Sequence, residues 1–179
     1  MIYIKKIIEV GNRIFLEHLN HSHSGNISIR VNDFVYITRS GAQLGFLNYD
    51  DIIKLNINQQ YSANASMEYI VHKSIYLNSN ATAILHAHPV HTIALSFSRD
   101  RIEPMDAEGI FYFPEGVPVL SVENAIASNE VAEKIPQLFL RSNAVIVKGH
   151  GIFCVGKNIE EAYKFASSIE SSSKIISLV

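Results

Sequence analysis

The chain holds a single cysteine, five prolines and nine glycines among its 179 residues, and no stretch of lysine and arginine stands out. Each scarcity removes a class of protein. Cys154 has no partner for an intrachain disulfide and lies in an apolar run, where a thiol behaves as a small hydrophobe, so a disulfide scaffold is excluded and a reducing cytosol is expected. Fifteen basic residues against seventeen acidic ones leave a formal charge of −2. A nucleic-acid binder or membrane-surface protein needs a concentrated basic footprint, so neither nucleic acid nor membrane is expected as a partner, while small anionic ligands stay open. No apolar run reaches bilayer-spanning length, and the isoleucines of the first ten residues are interrupted by Lys5, Lys6 and Glu9, unlike a secretory leader. The expectation is a cytoplasmic protein. With no repeat, low-complexity tract or linker, residues 1–179 are read as one domain, long enough to bury about two-thirds of its unfolded surface.

Ile4, Ile7, Ile8, Ile14 and Phe15 recur at helical spacing, so an amphipathic helix is expected before the polar cluster at residues 20–24, with Gly11 as its weak point. Residues 26–31 and 34–38 are short β-branched or aromatic runs around Asn32-Asp33, which predicts a hairpin bracketed by Gly25 and Gly41. A helix over 67–77 follows Ser66. Residues 82–85 then run as a buried strand into His86 and His88. A polar loop containing Pro104, Pro114, Gly116 and Pro118 is expected next, then a strand at 117–122, a helix at 129–140 despite Pro136, and strands at 144–147 and 152–155. Asn158 followed by Glu161 resembles a capping box that opens a last helix with an apolar stripe of Ile159, Ala162, Tyr163 and Ala166. The mixture predicts a layered α/β domain.

His86-Ala87-His88 is the sharpest local signal, because alternate strand residues share a face and aim both imidazoles at one point. A strand that is apolar until its end and then presents two histidines matches the place where α/β folds put ligand sites. Two unrelated surface histidines give the same short pattern, so a third ligand has to decide. His150, set between Gly149 and Gly151 and between two apolar runs, sits where bare backbone permits a tight turn and a close approach to an ion. Three neutral nitrogens are the number that a catalytic zinc uses while keeping one position open. Imidazole ligands favour zinc only modestly, so Mn2+ and Co2+ stay open. For His18, His21, His23, His72 and His91 nothing in the spacing demands a ligand, and a hydrogen-bonded or solvated side chain is the reading.

Glu68, near the start of a predicted helix and close in sequence to the His-Ala-His strand, is the candidate for proton transfer, against the plainer role of a first-turn glutamate. Ser24-Gly25-Asn26 and Thr38-Arg39-Ser40-Gly41 combine glycine with small hydrogen-bonding side chains, a composition that suits either ordinary turns or backbone N–H groups cradling a phosphate.

Taken in order, Gly25-Asn26-Ile27-Ser28, Ser40-Gly41, Ser66-x-Glu68, His86-x-His88-Pro89 and Gly149-His150-Gly151 form a pattern that resembles the class II aldolase/adducin family over nearly the whole chain. The resemblance implies a three-layer α/β/α domain around a central, largely antiparallel sheet, often assembled as a homotetramer with active sites near subunit contacts. It gives His86, His88 and His150 the metal, Glu68 the acid/base role, and Gly25, Asn26, Ser40, Gly41 and Ser66 the substrate phosphate. The activity it implies is reversible cleavage of a small ketose phosphate to dihydroxyacetone phosphate and an aldehyde through a metal-stabilised enediolate. Family dehydratases, decarboxylases and epimerases use related chemistry, and a non-catalytic adducin-like scaffold is the remaining alternative. Two positions depart from the pattern. Met67 stands where phosphate-binding aldolases of the family often carry a second serine, and Tyr112 is the nearest, poorly aligned, counterpart of their catalytic tyrosines.

Overall fold

The computed structural model describes residues 2–58 and 62–179. Helix α1 (Ile2–Leu16) buries Ile7, Val10, Gly11 and Ile14, which follow one another at three- and four-residue intervals. Gly11 is tolerated there because the chain crosses close by: a Cβ at that position would lie 2.5 Å from the Leu44 carbonyl oxygen. The hairpin forms with the expected bounds, β1 (Asn26–Val31) and β2 (Phe34–Thr38), and Asn32 takes the left-handed conformation that its tight turn requires. Two short 3-10 turns, Leu44–Phe46 and Tyr49–Asp51, then lead into β3 (Ile52–Asn56), which pairs with β2.

Helix α2 (Tyr69–Asn78) begins two residues later than its apolar pattern suggests, because residues 67 and 68 form a turn. Strand β4 (Ala83–Ala87) follows. The segment expected as a polar loop contains three elements instead: α3 (Val90–Ser96), β5 (Arg101–Ile102) and α4 (Ala107–Tyr112). Strand β6 (Val117–Leu120), α5 (Asn129–Leu138), β7 (Ala144–Val147), β8 (Gly151–Gly156) and α6 (Ile159–Leu178) complete the chain. Asn158 caps α6 as expected by accepting from the Glu161 N–H. The Glu161 carboxylate reaches one residue further back than a capping box requires, to the Lys157 N–H at 2.7 Å.

The eight strands of the described residues form one sheet in the order β3-β2-β1-β4-β8-β7-β6-β5, and every neighbouring pair is antiparallel except β6 and β7. Alternation along the strands divides the core in two. Ile27, Ile29, Leu85, Ala87, Ile146 and Ile152 pack against α1 and α6 on one face, while Val35, Ile37, Ile84, Val145 and Phe153 pack against α2 and α5 on the other. The α/β fold is therefore three-layered around a largely antiparallel sheet, as the resemblance implies. No helix among the described residues is long and apolar enough to cross a membrane.

On the α2 face, Ser28 on β1 bridges His72 Nδ1 and the Tyr76 hydroxyl, each at 2.7 Å. All three side chains are buried, and burial pushes the His72 imidazole down to about 3 because its charged form loses water. The folded state then refuses a proton that the unfolded chain accepts below about pH 6.5. Stability from this group is complete above that pH and is lost as pH falls toward 3, at about 1.4 kcal/mol per pH unit. Urea unfolding at pH 7.5 and pH 5 is expected to show the wild type losing about 2 kcal/mol more than His72→Gln over that interval. Equal losses would contradict this assignment.

Candidate functional site

The site grows from the ends of β4 and β8. His86, opposite Phe153 in the ladder, stacks on that ring with centroids 4.1 Å apart. Its Nδ1–H donates to the Ile152 carbonyl at 2.9 Å, which leaves Nε2 as a lone pair facing the cavity. One residue beyond the strand, the His88 N–H donates to the Leu19 carbonyl at 3.0 Å and to Asn20 Oδ1 at 2.7 Å. The α1–β1 loop thus takes the place of a sheet partner at this end.

His150 comes from the tight turn between β7 and β8, closed by its own N–H on the Val147 carbonyl at 3.0 Å. Gly151 allows that turn to reach the histidine pair, since a Cβ there would lie 2.4 Å from the Ala87 carbonyl oxygen and about 3 Å from both imidazole rings. Gly25 plays the matching part on the other side. It adopts φ +75, and a Cβ on it would fall 2.6 Å from the His86 carbonyl oxygen.

The three rings have centroid separations of 4.7 to 4.9 Å, the two Nε2 atoms of His86 and His88 are 2.9 Å apart, and one ligand nitrogen from each lies within 4.8 Å of the others. Burial lowers the basicity of all three, that of His88 to about 4, so they are neutral near pH 7. Facing lone pairs at hydrogen-bond distance require a proton or a cation between them. A tetrahedral zinc with bonds of about 2.0–2.1 Å places its ligand nitrogens roughly 3.4 Å apart, a spacing that these separations bracket. The residues present fit a divalent metal ion.

Glu68 stands at the N-cap position of α2 but makes no side-chain bond to that helix. Its Oε1 accepts from the Ala127 N–H at 2.9 Å and lies 3.7 Å from His150 Nε2, while Oε2 is buried without a partner among the described residues. Burial raises this carboxyl to about 7, against the opposing pull of the Ala127 N–H. Gly25, Asn26, Ser40, Gly41 and Ser66 border one cavity of about 160 Å³ together with Glu68 and the three histidines. The buried Oδ1 of Asn26 has no partner among the described residues. Arg39, in the same lining, is paired with Asp51.

The three histidines, Glu68 and the five loop residues singled out from the sequence therefore lie around one cavity, whereas Tyr112 does not. The remaining histidines do not join the triad: His72 belongs to the core, His91 pairs with Glu170 at 2.7 Å, His18 and His21 are exposed, and His23 lies on the cavity rim. Met67 is 60% exposed on the same rim. Tyr112 packs against Phe165 with ring centroids 5.8 Å apart and is not part of the lining. Sequence reading missed Asn20, Ile126 and Ala127. Ala127 presents its N–H to Glu68 from a left-handed backbone, φ +46, without the Gly or Asn that would betray such a position.

The model of the Class II Aldolase and Adducin N-terminal domain family matches residues 5–177. The chain belongs to this family. Among class II aldolase and adducin relatives, L-fuculose phosphate aldolase of Methanocaldococcus jannaschii is 26% identical, over 96% of this chain and 93% of its own. The crystal structure of L-fuculose-1-phosphate aldolase from Thermus thermophilus superposes with a TM-score of 0.95 at 31% identity, covering 98% of this chain and 93% of that one. Methylthioribulose-1-phosphate dehydratase of Alcanivorax borkumensis is also 26% identical, over 93% of this chain and 86% of its own. The class II aldolase and adducin fold thus carries named relatives of two reaction types at similar distance.

If the bare backbone at Gly151 is what lets the His150 turn close on the histidine pair, Gly151→Ala should lower the unfolding free energy by roughly 1–3 kcal/mol in urea denaturation. Gly41→Ala, whose Cβ meets nothing within 4 Å, should lose only about 1 kcal/mol for its left-handed backbone. A Gly151→Ala protein as stable as Gly41→Ala would refute the steric argument.

Proposed function

We propose that the chain is a metal-dependent lyase that reversibly cleaves a small ketose phosphate to dihydroxyacetone phosphate and an aldehyde. The observation that carries this reading is the convergence of three neutral imidazoles on one side of a cavity whose other side holds a buried carboxyl titrating near 7. His86, His88 and His150 hold the ion, which we take to be zinc, with manganese or cobalt as substitutes. When bound, it supplies Lewis acidity to the carbonyl and hydroxyl oxygens of the substrate.

Glu68 moves the proton. A group with its pKa close to the working pH both accepts and returns a proton readily, and its unpartnered Oε2 is the oxygen free to do so. Gly25, Asn26, Ser40, Gly41 and Ser66 receive the phosphate through backbone N–H groups and small polar side chains. Met67 supplies no hydrogen bond where a serine would, so the anion site rests on fewer donors.

Three further elements belong to this reading. The protein acts in the cytoplasm, in keeping with one buried, unpaired cysteine. It assembles as a homotetramer, in keeping with Met67 and Ile70 bordering an apolar cleft beside Ala127 and with the exposure of Ile126 and Leu77. Its physiological partner is a phosphorylated sugar.

A second reading keeps the site and changes the product: loss of water from a sugar phosphate, favoured by the dehydratase relative, by Met67 and by the position of Tyr112. The test is proton exchange at dihydroxyacetone phosphate in deuterated water, followed by NMR on zinc-loaded protein. Wild type is expected to exchange one prochiral proton, and Glu68→Gln to be slower by about 10²–10⁴-fold. No exchange by metal-loaded wild type would remove the aldol-cleavage reading, and loss of water from a ketose phosphate without a released aldehyde would then establish dehydration. Unchanged exchange by His88→Ala would remove the metal.

A further inference from the structure

Helix α3 joins the two arms of the histidine triad. Its first residue follows His88 and Pro89 directly, and its far end reaches the turn that carries His150. There the Ser96 hydroxyl, fully buried, donates to the Ile93 carbonyl at 2.7 Å and accepts the Gly149 N–H at 2.9 Å. Phe97 lies against Gly149, whose Cβ would come within 3.0 Å of its ring. Seven residues of helix span about 10 Å, so α3 is a rigid spacer between two points that are far apart in sequence.

The near end is secured from outside. No side chain of α3 caps its own N-terminus. Glu170 of α6 does so, one oxygen accepting from the His91 N–H at 3.1 Å and His91 Nδ1 at 2.7 Å, the other from the Thr92 N–H at 2.9 Å and the Thr92 hydroxyl at 2.7 Å. Both carboxylate oxygens are thereby saturated, and α3 is pinned to α6 beside the Pro89 bend.

We infer that α3 is a strut that sets the separation of His150 from His86 and His88, with Ser96 and Glu170 as positioning residues at its two ends. The inference rests on the metal reading proposed above. Groups that orient ligands from behind typically contribute 10–100-fold to metal affinity, because a ligand held off its bonding position spends binding energy on being moved. Loss of the Ser96 hydroxyl frees Gly149, a residue in the left-handed region with φ +70, and with it the ring beside it.

The test is cobalt(II) titration of the whole protein, following the visible absorption bands of the bound ion and its competition with a chelator, together with thermal unfolding of the metal-free proteins. Ser96→Ala and Glu170→Gln are each expected to bind cobalt about tenfold more weakly than wild type and to shift the absorption bands. Ser74→Ala, which removes a hydroxyl-to-carbonyl bond between α2 and α5, is the control and should stay within about twofold of wild type. Wild-type affinity and spectrum in both strut variants, even with lowered melting temperatures, would overturn the inference, as would equal weakening by Ser74→Ala. If Ser96→Ala does not fold, Glu170→Gln decides alone. Failure of the wild type to bind cobalt would bring down the metal reading itself, an outcome distinct from tight binding by every variant.

Discussion

The register of β4 against β8 is the constraint on which the rest of the site depends. Ala87 pairs with Ile152, so the residue before Ile152 has to pass alongside the one after Ala87. That geometry brings the His150 turn beside His88, and only a glycine at 151 fits between them. The same ladder sets His86 opposite Phe153, which stacks on it, and gives its Nδ1 the Ile152 carbonyl. A slip of one residue would turn His86 into the α1–α6 core and Ala87 toward the cavity. The geometry of the histidine triad is therefore a property of the sheet, and the sheet is specified by the two hydrophobic faces that cover it.

Such a site opposes the stability of the fold around it. Two imidazoles and one carboxyl are buried and a third imidazole is half-buried, and among the described residues Glu68 Oε2 and Asn26 Oδ1 lack protein partners. Each buried group left unsatisfied costs about 1–3 kcal/mol. The surrounding apolar layers absorb that cost because β4, β7 and β8 are buried along their whole length. Polar strain is thus concentrated at the one sheet end where backbone pairing stops, which is also where a ligand can relieve it.

How much of this was legible in the sequence follows from the range of the forces involved. The hairpin, the His86-x-His88 strand and the Asn158 cap are written within a few residues, and they appear where the pattern puts them. Helix α3 was invisible because its cap is supplied by Glu170, some eighty residues away, and its seven residues are too few to show a period. Helix α4 is shorter still, although Asp106 caps it by accepting from the Gly109 N–H at 2.8 Å. Strand β3 lies at the sheet edge with Lys54 in its middle, so its alternation is incomplete. In the site, the histidine triad, Glu68 and the two glycine loops read from the sequence lie around one cavity. Asn20 and Ala127 were missed, since one acts behind the triad by accepting from the His88 N–H with its side-chain Oδ1 and the other by a backbone N–H alone. Backbone donors carry no side-chain signature.

On the proposed reading, aldol cleavage and dehydration both place negative charge on the carbon beside a carbonyl that a bound ion would polarise, and in both Glu68 exchanges a proton with that carbon. They differ in order and in the bond broken: cleavage takes the proton of the β-hydroxyl, breaks the carbon–carbon bond to release the aldehyde and then protonates the carbon left behind, whereas dehydration takes the proton from that carbon and expels the β-hydroxyl as water. The ligands and Glu68 are common to both and do not choose between them. Discrimination has to come from the part of the cavity that meets the departing group. In this chain Met67 and Ile126 stand at that rim, apolar and more than half exposed. Neither can donate a proton to a leaving oxygen, and both offer surface to an apolar substituent or to another subunit. With His23 on the same rim, proton transfer to the departing group falls to it or to groups brought by the substrate, by solvent or by a neighbouring copy of the chain. The reaction is consequently a property of the completed rim more than of the histidine site beneath it.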